Sequence, residues 1–155
     1  QDFVFDFDES VSLKGNSGPY LLYTYARCRS VLAKAKLAQL GKLAKLDLNN
    51  EELAVLRTLS RFPEVVLEAG RELAPSVICT YLYDLAGKFN LFYNRHRIIE
   101  STMKQPARHP DLIGKALAGG LSNETMKFRL ALTSATSQIL QNGLNLLGIK
   151  TVEKM

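Results

Sequence analysis

The sequence predicts an all-α protein, a bundle of about five helices preceded by a short extended segment. Apolar residues recur at spacings of three and four along five stretches, and turn-forming Gly, Pro and Asn residues separate those stretches. No stretch shows a convincing run of strands. With 155 residues and a hydrophobic fraction of 46%, the chain has the length and composition of one folded domain. We therefore expect residues 1–155 to form a single domain.

The extended segment and the first helix come first along the chain. Three phenylalanines fall on one side of residues 1–13, and an extended segment could pack these rings on the bundle. The first helix is predicted from Pro19 to Gln39, before Gly41. Ser17 can accept a hydrogen bond at its start, where the missing N–H of proline costs nothing. Its expected core stripe is Leu21, Tyr25, Cys28, Leu32 and Ala35.

Two short helices are predicted next. Asn50 is expected to cap the second, whose first turn carries Glu51 and Glu52, because the helix dipole favours acids there. The Arg61-Phe62-Pro63 stretch should end it. A third helix is predicted from Pro63 to Leu73.

Two longer helices complete the bundle. The fourth is expected to begin at Pro75 and, as the most apolar, to form the centre of the core. Its core stripe is Ile78, Leu82, Leu85, Phe89 and Phe92. A Gly- and Pro-rich connection follows over residues 103–122, to which the sequence assigns no role. The last helix is predicted from Asn123 to Gly148, and its apolar face is Phe128, Leu132, Ala135, Ile139 and Leu146.

The charge of the chain is unevenly distributed. The formal net charge is +5, which favours polyanions as partners. Between Tyr20 and Leu46 there are six Lys and Arg residues and no acid, whereas the first nine residues carry four acids and no base. This asymmetry predicts a basic face on the first helix and the loop after it.

A second face of the first helix is the candidate nucleic-acid surface. It comprises Tyr20, Tyr23, Arg27, Ser30 and Lys34. Rings can stack on unstacked bases while cations neutralise phosphates, so we expect Arg27 and Lys34 to act by charge and Tyr20 by stacking. Alternatively, this face is a packing boundary covered by long basic side chains. Tyr93 of the fourth helix, followed by Arg95 and Arg97, extends the candidate set. Tyr81 and Tyr83 are interpreted as packing residues.

The sequence offers little support for catalysis, metal binding or a membrane location. It lacks a phosphate-binding glycine loop, a nucleophile elbow and a His-Glu-x-x-His motif. His96 and His109 are too far apart, with no thiol beside them, to predict a zinc site. Asp6-Phe7-Asp8-Glu9 is compatible with a divalent cation, but solvated acids also explain it. Cys28 and Cys79 are expected to be buried thiols in a reducing compartment. No membrane span and no secretory signal is visible.

Three blocks, in order along the chain, carry a resemblance to a known family. The first is Gly15–Arg27, the second is Ala74–Tyr93, and the third is Arg129–Ile149 with the terminal Glu153–Met155. Together they resemble the C-terminal anticodon-binding domain of arginyl-tRNA synthetases, over nearly the whole chain. Leu22 departs from the Gln that is usual in the family, so a polar contact is not expected there.

The resemblance implies a helical domain that binds the anticodon loop of an arginine tRNA. It implies a cytoplasmic parent enzyme whose upstream catalytic domain attaches arginine with ATP and Mg²⁺, and no catalysis or cofactor in these residues. The start at Gln1, in an uncapped acidic stretch, also suggests a fragment. Tyr20, Arg27, Tyr93 and Met155 match family positions near the anticodon. The full expected RNA-binding set is Tyr20, Tyr23, Arg27, Lys34, Tyr93, Arg97, Lys154 and Met155.

A second class of function stays open at this point. A non-catalytic basic helical module that binds an acidic protein or another polyanion would explain the charge and the helices. It would not explain why three blocks occur in one family's order. Both classes depend on counterion release, so only discrimination between arginine-accepting and other tRNAs would separate them.

Overall fold

Five helices make up the described part of the chain. A computed structural model describes residues 15–35, 47–99 and 122–152. The helices are α1 (Gly18–Lys34), α2 (Asn50–Ser60), α3 (Phe62–Glu72), α4 (Pro75–Arg95) and α5 (Asn123–Leu146). The described residues contain no β-strand, and the predicted all-α class is confirmed. The expected extended segment, the acidic Asp6–Glu9 stretch and residues 103–121 of the predicted connection lie outside the described residues.

Side-chain caps begin three of the helices. Ser17 accepts from the Tyr20 N–H at the start of α1, and Ser122 accepts from the Thr125 N–H at the start of α5. For α2 the cap is Asn49 and not Asn50 as predicted. Asn49 Oδ1 accepts from the Glu52 N–H at 2.9 Å, and Glu52 Oε2 accepts from the Asn49 N–H at 3.0 Å. This reciprocal capping box needs an acid three residues after the cap, a spacing that only Asn49 has.

Two helices, α1 and α5, end before the residues at which the sequence predicts their ends. α1 ends at Lys34, short of the expected Gln39. The prediction extended to Gln39 because Gly41 is the first stop signal after the helix in the sequence. α5 ends at Leu146, and Gly148 adopts a left-handed φ of 75°. The Ile149 N–H donates to the Leu144 carbonyl at 2.9 Å, and the Gly148 N–H donates to the Asn145 carbonyl at 3.0 Å. These two bonds form a Schellman motif, which turns the chain back toward the bundle.

The core is built around α4. Its predicted stripe of Ile78, Leu82, Leu85, Phe89 and Phe92 is buried throughout. All four other helices contact α4, and α1 also packs extensively along α5. Burial of one large apolar side chain contributes about 1.5–3 kcal/mol to the stability of the folded state, so this stripe is a major source of stability.

The predicted apolar face of α5 is only partly right. Phe128 and Leu132 are buried, but Ala135 and Leu146 are exposed. The buried line continues through Thr136, Leu140, Gly143 and Leu144. Thr136 can occupy this face because its hydroxyl donates to the Leu132 carbonyl at 2.8 Å, which satisfies its polar group inside the helix.

The two cysteines are free thiols in different surroundings. Cys28 is buried as predicted, whereas Cys79 is exposed and the prediction for it is wrong. Cys79 follows Ile78 directly, and a step of one residue rotates it off the buried stripe. None of the described helices is both long and apolar enough to cross a membrane. In the described ranges, no group of three His, Cys, Asp or Glu residues is arranged to hold a metal ion.

Candidate nucleic-acid interface

A groove between α1 and α4 brings together half of the predicted site residues. Its volume is about 400 Å³. The residues that line it are Tyr23, Ala26, Arg27, Ser30, Val31 and Lys34 of α1, and Tyr93 of α4. Helical spacing had placed four of these α1 residues on one face, and they share one wall here. The groove therefore contains Tyr23, Arg27, Lys34 and Tyr93 of the expected RNA-binding set.

Arg27 lies between two tyrosine rings. Its Cζ atom is 4.6 Å from the centroid of the Tyr23 ring and 4.7 Å from the centroid of the Tyr93 ring. Its Nη2 also donates to the Tyr23 hydroxyl at 2.8 Å. A guanidinium over a ring face is attracted by about 0.5–1 kcal/mol at an exposed site. Arg27 therefore connects the two tyrosines of opposite helices.

Both tyrosine rings remain accessible. The exposed fraction is 38% for Tyr23 and 37% for Tyr93. The Tyr93 ring centroid lies 6.4 Å from that of the buried Phe89, one turn earlier in α4. Each tyrosine thus packs partly against the protein and remains partly exposed to a ligand.

Asn90 of α4 was not singled out from the sequence. Its Oδ1 accepts from Arg27 Nη1 at 2.5 Å, and its Nδ2 donates to the Tyr20 hydroxyl and to Thr24 Oγ1, both at 3.0 Å. Thr24 in turn donates to the Tyr20 carbonyl at 2.9 Å. The available signal was an amide directly after the buried Phe89, where a polar side chain needs partners.

Tyr20 takes part in the α1–α4 contact and does not line the groove. It is half-buried, its hydroxyl accepts from Asn90, and its ring lies 5.5 Å from that of Tyr83. Tyr83 packs there, although 36% of it is exposed. Tyr81 is buried, and its hydroxyl donates to the Thr58 carbonyl at 2.9 Å. Burial raises the pKa of Tyr81 to about 12.

The basic residues after Tyr93 lie near a separate ionic cluster. Arg95 Nη1 is 2.5 Å from Glu51 Oε1, and His96 Nε2 is 3.2 Å from Glu51 Oε2. The bond from Arg95, a backbone hydrogen bond and His96 lower the pKa of Glu51 from 4.5 to about 2. Arg97 is exposed, and its carbonyl accepts from Arg129 Nη1 at 2.6 Å. Arg97 does not line the groove.

Of the remaining predicted site residues, Lys34 is described by the structure, whereas Lys154 and Met155 are not. Lys34 is exposed and lines the groove, and among the described residues it has no ion-pair partner. Lys154 and Met155 lie outside the described residues, as does His109. The roles of Lys154 and Met155 in RNA binding stay predictions.

Comparisons with known proteins agree on one family. Residues 21–155 match the model of the DALR anticodon binding domain. The chain is 35% identical to an arginine--tRNA ligase of Fusobacterium nucleatum and 39% identical to one of Histophilus somni. Each match covers 99% of this chain but only 24% of the relative, so the chain spans about a quarter of the length of these relatives.

Solved structures give the same result for the fold. An arginyl-tRNA synthetase of Thermus thermophilus matches with a TM-score of 0.70 and 34% identity, over 97% of this chain and 23% of that one. The Plasmodium falciparum arginyl-tRNA synthetase matches with a TM-score of 0.73 over 100% of this chain and 24% of that one. Its identity of 24% supports the fold alone.

Proposed function

This chain belongs to the DALR anticodon binding domain family found in arginyl-tRNA synthetases, and we propose that its groove between α1 and α4 binds the anticodon loop of an arginine tRNA. The domain supplies recognition and no chemistry of its own. We propose that an upstream catalytic domain of the same polypeptide attaches arginine to that tRNA, using ATP with Mg²⁺, and that the enzyme acts in the cytoplasm.

The pair of accessible tyrosines in the groove carries this proposal. Anticodon bases are read after they unstack, and an unstacked base needs an aromatic surface to replace its neighbours. Tyr23 and Tyr93 offer two such rings, and more than a third of each residue is exposed. Stacking of one base on an aromatic side chain is worth about 1–3 kcal/mol.

The charge of the same wall supports an RNA ligand. Lys34 is exposed in the groove and is available to a phosphate. We propose that Tyr20 supports the wall from its packed position, and that Arg97, Lys154 and Met155 extend the RNA surface beyond the groove. For Lys154 and Met155 the support is the sequence resemblance alone.

The test compares two RNA hairpins of equal length and charge. One is the anticodon stem-loop of an arginine-accepting tRNA, and the other is the stem-loop of a tRNA for a different amino acid. At one fixed salt concentration, we expect the 155-residue chain to bind the first more tightly. Equal affinities would contradict the proposal and favour the alternative, a basic helical module that binds polyanions or acidic proteins without sequence preference.

A matched set of tyrosine variants locates the binding site. Tyr23→Ala and Tyr93→Ala should each weaken binding of the arginine stem-loop. Tyr83→Ala is the comparison, because Tyr83 has the same residue type, a similar exposure of 36% and a position on α4 outside the groove, and it reaches the groove only through its packing on Tyr20. A loss with Tyr83→Ala as large as with the other two would place the RNA elsewhere.

A further inference from the structure

We propose that Asn90 is a positioning residue of the groove, which fixes Arg27 so that Arg27 can hold the Tyr23 and Tyr93 rings apart in the arrangement that receives RNA. The inference rests on the proposed function and assigns how that site keeps its shape. Asn90 itself does not line the groove.

The hydrogen bonds around Asn90 permit only one orientation of its amide. The hydroxyl hydrogen of Thr24 is already used in a bond to the Tyr20 carbonyl, so Thr24 Oγ1 accepts from Asn90 Nδ2. On the opposite side, the guanidinium of Arg27 can only donate, so it needs Asn90 Oδ1 as its acceptor. Exchange of the amide oxygen and nitrogen would set donor against donor and acceptor against acceptor. The three side chains of α1 thus lock the amide.

The locked amide in turn restricts Arg27. An arginine side chain is long and has many rotamers, and two ring faces alone restrain it weakly. Asn90 Oδ1 supplies a fixed point at Nη1, while Nη2 bonds to the Tyr23 hydroxyl. With both ends of its planar fork held, the guanidinium stays between the rings of Tyr23 and Tyr93. Arg27 therefore acts as a spacer between two RNA-binding rings.

The choice of an amide also preserves the charge of the groove. None of the ion pairs among the described residues includes Arg27. Its partners are a neutral amide, a hydroxyl and two rings, so its positive charge is not cancelled. A carboxylate at position 90 would hold Arg27 equally well but would cancel that charge beside an incoming phosphate. Positioning and charge can therefore be separated by substitution.

The first experiment examines the free chain and needs no RNA. The chain has six tyrosines and no tryptophan, so incorporation of 3-fluorotyrosine gives a small set of ¹⁹F signals. In Asn90→Ala, we expect the Tyr23 and Tyr93 signals to shift and broaden, while the buried Tyr25 signal stays in place. In Asn90→Asp, which keeps an acceptor for Arg27, both ring signals should stay near their original positions. Unchanged Tyr23 and Tyr93 signals in folded Asn90→Ala would overturn the inference.

The second experiment measures binding of the arginine anticodon stem-loop. Asn90→Ala should bind roughly tenfold more weakly, the effect expected when a charged donor loses its partner. That loss should largely disappear in a Tyr93→Ala background, because Asn90 acts through the rings. Additive losses would contradict the inference.

Substitutions of Arg27 test the inference separately, because they do not depend on whether the Asn90 variants fold. Lysine keeps the positive charge but cannot lie flat between two rings or bond at two points. If Arg27 acts mainly as a spacer, Arg27→Lys should recover only the small, salt-dependent part of the affinity that Arg27→Ala loses. If lysine restores most of the affinity, Arg27 contacts a phosphate directly and the inference is wrong. Equal binding of both stem-loops by the unmodified chain would instead refute the proposed function, and the ¹⁹F signals would still decide the role of Asn90.

Discussion

Gly143 of α5 lies so close to Leu82 of α4 that a methyl group at position 143 would stand 2.6 Å from Leu82 Cδ2. Carbon atoms in ordinary van der Waals contact are about 3.5–4.0 Å apart. Both residues are buried, and Leu82 belongs to the central stripe of the core. Glycine at this position therefore lets the two long helices approach each other.

We predict that Gly143→Ala destabilises the chain despite the higher helix propensity of alanine. The propensity gain is about 0.5–1 kcal/mol. Overpacking of a full core costs about 1–3 kcal/mol, and Leu82 has no solvent-exposed side to move toward. Urea unfolding should show a net loss of stability.

Gly87 of α4 provides the matched control. It is also inside a helix, but it is exposed and a methyl group there would meet nothing within 4 Å. Gly87→Ala should therefore raise the free energy of unfolding by about 0.5–1 kcal/mol. Changes of the same sign in both variants would contradict the role of Gly143.

The sequence could predict those features of the core and of the site that depend only on the spacing of residues within one helix. The α4 stripe and the shared face of Tyr23, Arg27 and Lys34 follow from a period of 3.6, and both occur as expected. Whether Gly143 contacts Leu82, or Arg27 contacts Tyr93, depends on how two helices that are far apart in the sequence pack against each other. No spacing within one helix encodes that arrangement.

Polar residues explain most of the remaining differences. Thr136 satisfies its hydroxyl within α5, so it can be buried where a hydropathy pattern favours Ala135. Asn90 is half-buried because three side chains from another helix satisfy its amide. A pattern of apolar positions treats both residues as surface, since their partners are not visible in the sequence.

Reactivity of the two cysteines should differ strongly in the folded chain. Burial raises the pKa of the Cys28 thiol far above its usual range, which suppresses the reactive thiolate. Cys79 is exposed. We predict that iodoacetamide alkylates Cys79 in the native chain and reaches Cys28 only after unfolding, as measured by mass spectrometry of the digested protein. Comparable native labelling of both thiols would show that the α1 core is more open than described.

The ion pair of Glu51 predicts a specific acid dependence of stability. Its pKa is about 2 in the folded chain, lowered from 4.5 chiefly by the bond from Arg95. A carboxyl group whose pKa is lower in the folded chain than in the unfolded chain stabilises the folded state at pH values above the unfolded pKa. For Glu51 this contribution disappears as the pH falls from about 4.5 through about 2. Glu51→Gln should therefore melt below the unmodified chain at pH 7, and the two melting curves should converge toward pH 2.

Glu68→Gln is the control for this convergence. Glu68 is exposed on α3 and has no ion-pair partner among the described residues. Its substitution should leave the melting temperature nearly unchanged across the same pH range. If the melting temperature of Glu51→Gln stays below that of the unmodified chain by the same amount down to pH 2, the substitution acts on packing or capping and not on charge.

Salt dependence should separate the roles of Lys34 and Tyr23 in RNA binding. Removal of one cation that neutralises a phosphate of single-stranded RNA lowers the log–log salt slope by about 0.7. Lys34→Gln should show this change, while Tyr23→Ala should weaken binding at every salt concentration with the slope preserved. Arg71→Gln, an exposed cation of α3 outside the groove, should change neither quantity. A slope change with Tyr23→Ala would contradict its role as a stacking surface.

The last prediction concerns the C-terminal residues after the Schellman motif. The bonds of Gly148 and Ile149 fasten the chain to the end of α5, and half-buried Leu147 and Ile149 pack against the core. Removal of residues 153–155 should therefore leave the helical circular dichroism and the melting curve nearly unchanged. We expect the same deletion to weaken binding of the arginine stem-loop, because Lys154 adds a cation and Met155 a flexible apolar side chain that can pack beside an unstacked base. Lys154→Gln should account for the salt-dependent part of that loss. Full affinity after the deletion would show that these residues are a tail without a role in RNA binding.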